Sequence, residues 1–364
     1  MTGRRQEWLV EPNPPEVTLA LARLSRTRGV ERIAVMPDVH LAASVCVGVA
    51  TASRDTLLPE AVGGDIGCGI TCAAFHVEAA RLGSPSVARA IMDGLVDAIP
   101  ERQHAGPPAV LPELLREPLS AAPLDRRRKL AARQLGTVGR GNHFVELQAD
   151  GEGKLWAMLH SGSRGMGPAI RDHHLRRQGP RPTLDVDEDA GQAYLRDHDS
   201  AVRYAHDNRR QMLGRQAATL EEVIGECPRG ETFDCHHNFV RQEDGLWVHR
   251  KGVVSARTGE LGVVAGSMGA PSYHVEGRGV AAALCSCSHG AGRRMSRSEA
   301  RRVIDDDTLV RQMAGGWFDN RRLRSLRDEA PGAYKDIGRV MRAQRELVRI
   351  RRVLTPLLSF KGGA

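Results

Sequence analysis

A chain of 364 residues with 41% hydrophobic content has ample material for a buried core, which excludes a disordered or fibrous protein. Seven cysteines, an odd number in a chain too long to need disulfide staples, fit a reducing cytoplasm. No stretch approaches the ~20 apolar residues of a membrane span, and the basic N-terminus has no apolar segment behind it, so neither anchoring nor export is expected. The formal charge of +8 suits a polyanionic partner, because guanidinium forks grip phosphates and release counterions, but a solvated arginine-rich surface gives the same sum.

Prolines open a predicted helix over residues 14–24, and Ile33-Ala34-Val35-Met36 reads as a strand. Apolar, β-branched runs predict further strands over 45–50 and 70–77, followed by a helix over 87–99. Residues 105–123, rich in Pro and Ala, and 178–189, where Gly179, Pro180 and Pro182 give way to acids, read as surface loops or insertions. A polar helix is expected over 190–224, with Tyr194, Ala201, Val202, Ala205 and Met212 as its buried stripe. Ser296-Arg297-Ser298-Glu299 fits a capping box, so a helix should start there. A last helix is expected over 334–350, with Ile337, Val340, Met341, Leu347 and Val348 on one face, before a strand-like stretch at 354–360. No repeat or boundary divides the chain, and the chemically interesting blocks near residues 38, 65, 143, 160, 237 and 289 point to one site built by the whole of it.

Glycine, 39 residues in all, gathers in short blocks beside His, Cys or Asp, where it lets a backbone turn sharply or approach a ligand closely. Asp65-Ile66-Gly67-Cys68-Gly69 places a carboxylate and a thiol three apart. Gly141-Asn142-His143-Phe144-Val145-Glu146 offers an imidazole and a carboxylate. Leu159-His160-Ser161-Gly162-Ser163-Arg164 ends an apolar run with a histidine, and Cys235-His236-His237-Asn238 adds more imidazole. One Cys, one Asp and several His make a borderline-soft donor set, suited to Mn, Zn, Fe or Co rather than to Mg or Ca, which prefer oxygen alone. Taken singly, each block is more often structural. A structural zinc site is disfavoured, because Cys285 and Cys287, one residue apart, make no convincing partner for Cys68 and Cys72.

Order and flanking residues change those odds. Met36-Pro37-Asp38-Val39-His40, Val62-Gly63-Gly64-Asp65-Ile66-Gly67-Cys68-Gly69, the run from Leu135 through Glu146, His160-Ser161-Gly162-Ser163-Arg164-Gly165, His249-Arg250-Lys251-Gly252, Gly266-Ser267-Met268-Gly269, Ser288-His289-Gly290-Ala291-Gly292-Arg293, the run from Asp328 through Lys335, and Lys361-Gly362 resemble the motifs of the RtcB RNA-splicing ligases, in the family's order. The resemblance runs from near residue 30 to the C-terminus. It implies an α+β fold, a single compact domain over residues 1–364 with mixed β-sheets surrounded by helices.

It also implies a site. Two Mn²⁺ ions would share Cys68, one held also by His160 and His237, the other by Asp65 and His143. His289 would be the nucleophile that takes GMP from GTP, aimed by Asp38. Asn142 and Asn238 would meet the phosphates, and Glu146, Ser272 and Lys361 the guanine, with Gly266, Ser267, Met268, Gly290, Ala291 and Gly292 also against the nucleotide. His236 falls outside the ligand set, since the motif aligns its His-Asn pair with His237-Asn238.

The function so implied is a GTP- and Mn-dependent ligase that joins RNA 3′-phosphate or 2′,3′-cyclic phosphate ends to 5′-hydroxyl ends, in tRNA splicing or RNA repair. It would act as a cytoplasmic monomer, with an archease-type activator as a further partner. The alternatives are a GMP-transferring 3′-end capping enzyme or a metal phosphodiesterase on the same site, and a non-catalytic RNA-binding homologue. The chain departs from the family pattern at Leu41-Ala42-Ala43-Ser44-Val45-Cys46, at Ala265, where a proline often stands, and at Val253-Val254-Ser255.

Overall fold

The computed structural model describes residues 3–42, 45–106, 112–177, 183–313 and 315–362. Its architecture is mixed α and β, as expected. An eight-stranded sheet runs Leu261–Val264, Ser272–Gly277, Val348–Lys361, Phe144–Asp150, Lys154–Ser161, Gly69–Glu78 and Arg229–His236, with Trp317–Phe318 pairing off this path against the long strand. Apart from that parallel side strand, its pairings are antiparallel. The two ends of the path approach each other where the Cys235 thiol meets the Val263 backbone, so the sheet comes close to closing into a barrel. A second sheet of five strands has the order Arg4–Glu7, Val30–His40, Val47–Ser53, Leu246–Lys251 and Asn238–Glu243.

Helices cover what the strands leave apolar. Pro85–Ala98 starts at a Ser84 hydroxyl that accepts from the Val87 amide, and buries Ala88, Ile91, Met92 and Leu95. Asp189–Ile224 packs beside it, and their side chains join Phe75, Leu147, Leu155 and Leu159 in one cluster on an outer face of the large sheet. Tyr194, Ala201, Ala205 and Met212 are fully buried on the expected stripe, and Val202 is half-buried. The same stripe buries Asn208 and Arg209, both polar side chains that find hydrogen-bond partners. Among the described residues no helix is long and apolar enough to cross a membrane.

The expected final helix is corrected. Only Ile337–Ala343 is helical, capped by Asp336, and Leu347 and Val348 lie beyond its C-terminal end. From Val348 the chain is strand, pairing with Ser272–Gly277 on one side and Phe144–Asp150 on the other. Val348, Ile350 and the intervening arginines carry a two-residue alternation that competes with helical spacing, and pairing to two neighbours decides it. Of the expected loops, 107–111 and 178–182 lie outside the described residues. The remainder includes a short helix, Ala122–Asp125, and a two-residue strand, Leu184–Asp185, paired with Thr56–Leu57. Ser296 caps the expected helix, its hydroxyl accepting from the Glu299 amide at 3.2 Å to start Arg297–Val303.

Candidate metal centre and active site

Four adjacent strands of the large sheet explain how distant residues converge. Asp65 and Cys68 precede Gly69–Glu78, His143 precedes Phe144–Asp150, His160 lies at the end of Lys154–Ser161, and His237 comes directly after Arg229–His236. Because neighbours run antiparallel, two starts and two ends share one edge. Register fixes the match, with His160 opposite both Phe144 and Ile70. His237 sits where the chain leaves this sheet to begin Asn238–Glu243 of the other.

The donor atoms form two groups, Cys68 with His160 and His237, and Asp65 with Cys68 and His143, the atoms of each lying within 4.8 Å of one another. Cys68 belongs to both. Its Sγ lies 3.2 Å from His160 Nε2 and 3.4 Å from His143 Nε2. His143 Nε2 is 2.8 Å from Asp65 Oδ2, and His160 Nε2 is 3.2 Å from His237 Nε2. The tautomer of His160 is set by its other nitrogen: Nδ1 faces the Asn142 carbonyl at 3.1 Å, so it donates and leaves Nε2 a bare lone pair directed into the group. Burial pushes His160 and His237 well below the ordinary imidazole range, which keeps both neutral and ready to ligate. Burial, with Asp65 alongside, pushes the Cys68 thiol well up, so a cation's charge is what would make it a thiolate here. The donor set and its geometry fit two ions of a borderline-soft metal sharing a sulfur.

Buried Arg209 supports this edge from the long helix. Its Nη1 donates to Gly67 O at 2.9 Å and Ser161 O at 2.7 Å, the backbones beside Cys68 and His160, while Asp234 takes its other side at 2.7 Å. His236 is occupied by Arg209 Nη2 at 3.0 Å and Gly67 O at 3.2 Å and belongs to neither group.

His289 comes directly after Ser286–Ser288, a strand paired with Val253–Ser255. Its Nδ1 donates to Asp38 Oδ2 at 2.7 Å, and the same oxygen accepts from the His289 amide at 3.2 Å and the Gly290 amide at 3.4 Å. In the neutral tautomer that this bond selects, Nε2 carries the free lone pair, on a ring whose centroid is 4.8 Å from that of His237. Lys335 Nζ grips the carbonyls on either side of Asp38, Pro37 O at 3.0 Å and Val39 O at 2.8 Å. Ala265, the departure from proline, donates its N–H to His289 O at 3.0 Å, a bond that proline would forgo. Gly252 has φ +62°, and a Cβ there would come within 2.2 Å of Val47 Cγ1 and 3.1 Å of His289 Cε1, so the chain beside the His289 ring needs glycine.

A cavity of about 1050 Å³ opens over this group, lined by His289, Asp65, Cys68, His160, His237 and Lys361. Asn142, Asn238, Gly266, Ser267, Gly290, Ala291 and Gly292 also face it. The Asn238 side chain is engaged by Asp65 O at 3.1 Å and the Gly252 amide at 2.7 Å, which ties the Asp65 loop to the His289 side. Deeper, Glu146 accepts from Gln148 Nε2 at 2.6 Å and from the Ser359 hydroxyl, and Gln148 reaches Ser272 Oγ at 3.4 Å. Burial raises the Glu146 carboxyl from the ordinary 4.5 to about 7. Lys361 ends the long strand, with its Nζ 2.6 Å from Glu329 Oε2. Met268 differs from its neighbours: its side chain packs among Ala300, Ile304, Leu309 and Met313.

Comparison with known proteins agrees with this geometry. The family model described as tRNA-splicing ligase RtcB matches residues 20–121 and 113–362. The RNA-splicing ligase RtcB of Escherichia coli strain K12 is 34% identical over 373 residues, 91% of this chain and 90% of that protein. The chain belongs to the RtcB family.

The RtcB2 protein of another E. coli strain is 28% identical over 87% of this chain and 85% of its own length, and the RtcB of Mycobacterium tuberculosis strain H37Rv is 29% identical over 65% and 67%. Of the residues that the sequence motifs single out, Asp65, Cys68, His160, His237, His289 and Lys361 line the large cavity, while Asp38 and His143 lie behind it against His289 and Asp65, Glu146 and Ser272 lie deeper, and Met268 packs elsewhere. Arg209, Lys335 and Glu329 had no role assigned from the sequence. A local signal existed only for Arg209, which with Asn208 interrupts an apolar helical stripe with polar side chains.

Proposed function

We propose that this chain is an RNA ligase that uses GTP and two Mn²⁺ ions to join a 3′-phosphate end, or a 2′,3′-cyclic phosphate after its opening, to a 5′-hydroxyl end through a guanylylated His289. The observation that carries the reading is the Asp38–His289 pair at 2.7 Å, with the ring close to His237 of the metal group. Paired ions in such a site neutralise charge on attacking and leaving oxygens. The residues supply the rest. His289 Nε2 attacks the α-phosphorus of GTP, a P–N bond forms, and the bond to the bridging oxygen breaks as pyrophosphate leaves. An oxygen of the RNA 3′-phosphate then takes the GMP from His289. The 5′-hydroxyl oxygen next attacks the 3′ phosphorus and expels GMP.

The choice of guanine rests on Glu146, which can accept from N1–H and the 2-amino group, and on Lys361, which can donate to O6. That role has a pH signature. With its carboxyl raised to about 7, Glu146 in the empty protein is protonated below neutrality, whereas guanine needs the ionised form. Apparent GTP affinity should therefore fall by about tenfold per pH unit below 7, and Glu146→Gln should flatten the dependence. The sign for stability is opposite: the raised folded value stabilises the empty protein below pH 4.5, and this is lost as pH rises through about 7. Calorimetric titration with GTP across pH 5.5 to ~8 reads the first effect; a flat profile in the unaltered protein contradicts the assignment.

The site also serves an RNA-repair or tRNA-splicing role in the cytoplasm, with one chain sufficient for chemistry and an archease-type activator as an added partner. Incubation with GTP, Mn²⁺, a 3′-phosphate RNA and a 5′-hydroxyl RNA should yield the joined strand with consumption of the 5′-hydroxyl. A guanylylated 3′ end that persists beside unreacted 5′-hydroxyl RNA would instead make the protein a capping enzyme.

A further inference from the structure

The metal group has a second mouth. Asp65 lines the large cavity and also a separate cleft of about 590 Å³ that contains His143, Arg164, Arg140 and Arg102. Arg102 and Arg140 in turn line a further depression of about 550 Å³ with Arg321, Arg322 and Arg324. Arginines outnumber carboxylates along the track. Its carboxylates are committed, Asp65 to His143, Glu101 to Arg322 and Asp306 to Arg327, and Arg321 is itself held by Asp93 and Asp319. Arg102 and Arg140 form no ion pair among the described residues, although both are exposed. Two unpaired guanidinium groups a short way from a reacting centre are placed for phosphodiester oxygens.

Stereochemistry says which strand. Resting on the function proposed above, the sealing step is an in-line displacement, so the attacking 5′-oxygen must approach the 3′ phosphorus opposite the departing GMP. GMP originates at His289, inside the large cavity, and Asp65 lines both that cavity and the arginine cleft, which His143 lines on its far side. We propose that the cleft from Arg164 past Arg140 and Arg102 to Arg321, Arg322 and Arg324 receives the backbone of the 5′-hydroxyl RNA strand. Its terminal oxygen is thereby delivered to the metal group from the side opposite the nucleotide. In that step the new P–O bond forms as the bond from the 3′ phosphorus to the GMP oxygen breaks, and the hydroxyl proton passes to solvent. An acidic protein could meet the same charge, but the cleft leads inward to Asp65 and His143, where only a reacting strand has cause to go.

The test is the double variant Arg102→Glu/Arg140→Glu in the full chain. Binding of a short RNA with a free 5′-hydroxyl and a blocked 3′ end, read by fluorescence anisotropy, should weaken by at least ~10-fold. Its log–log salt dependence should become shallower by about one unit. GMP transfer to His289 and onward to a 3′-phosphate RNA should be unchanged. Unaltered affinity for the 5′-hydroxyl strand, or equal weakening toward a 3′-phosphate strand, overturns the assignment. Failure of the unaltered protein to form any guanylate would overturn the proposed function instead, and the binding measurement would still read the cleft.

Discussion

Replacing Asp38 with asparagine should slow GMP transfer to His289 by about three to four orders of magnitude, with little change in the GTP concentration for half-saturation. One carboxylate oxygen of Asp38 accepts from His289 Nδ1, from the His289 amide and from the Gly290 amide. It thereby fixes both the direction of the ring and the nitrogen that keeps the proton. An asparagine of the same shape can present its amide nitrogen to Nδ1, which moves the proton to Nε2 and removes the lone pair that must attack. The same exchange of Asp for Asn behind a catalytic histidine in serine proteases costs ~10⁴ through the wrong tautomer, and gives the scale used here. The Lys335 grip on Pro37 and Val39 should keep the backbone in place, so the effect is chemical rather than structural. Rapid-quench measurement of guanylate formation reads it; a loss smaller than about tenfold would mean that Asp38 does not select the tautomer.

Cys68→Ser should have a comparable effect for a different reason. The Cys68 sulfur is the one donor common to both ligand groups, 3.2 Å from His160 Nε2 and 3.4 Å from His143 Nε2. A serine hydroxyl stays protonated where a thiol ionises against a cation, so both ions lose a ligand and the charge that holds them together. Bound Mn²⁺ should fall from two per chain to one or fewer at micromolar metal, and ligation by ~10³-fold or more. His160→Ala and Asp65→Ala should each weaken one ion preferentially, which separates a bridging from a merely adjacent cysteine. Elemental analysis after gel filtration measures the stoichiometry, and two retained ions in Cys68→Ser would contradict the bridge.

The donor residues were legible in the sequence because the site lies on one edge of a sheet. Asp65-Ile66-Gly67-Cys68-Gly69, His143 and His160 fall in short glycine-flanked blocks at strand ends, whereas His237, with no glycine beside it, was picked out by the family motif. The long helix was legible too, since Tyr194, Ala201, Ala205 and Met212 repeat at helical spacing over a continuous run. The stretch after residue 343 was not. Leu347 and Val348 sit at positions that extend the apolar face of Ile337–Ala343, while the strand preference of Val348, Ile350 and Val353 is expressed only through pairing with segments far earlier in the chain, Ser272–Gly277 and Phe144–Asp150. Nor did local pattern give Lys335 its role: an exposed-looking lysine acquires it by meeting the carbonyls around Asp38, 298 and 296 residues away in the chain. Lys361 owes its place to the length of the final strand, and its ammonium to Glu329, a residue in a motif block with no evident task of its own.

The most direct test of the whole account is whether GTP modifies His289. Purified protein incubated with Mn²⁺ and GTP, then denatured and examined by intact-mass and peptide mass spectrometry, should carry one GMP per chain on the peptide containing His289, stable to alkali and released by acid as a phosphoramidate requires. His289→Ala should carry none. GMP on any other residue, or no GMP on the unaltered protein under these conditions, would contradict it.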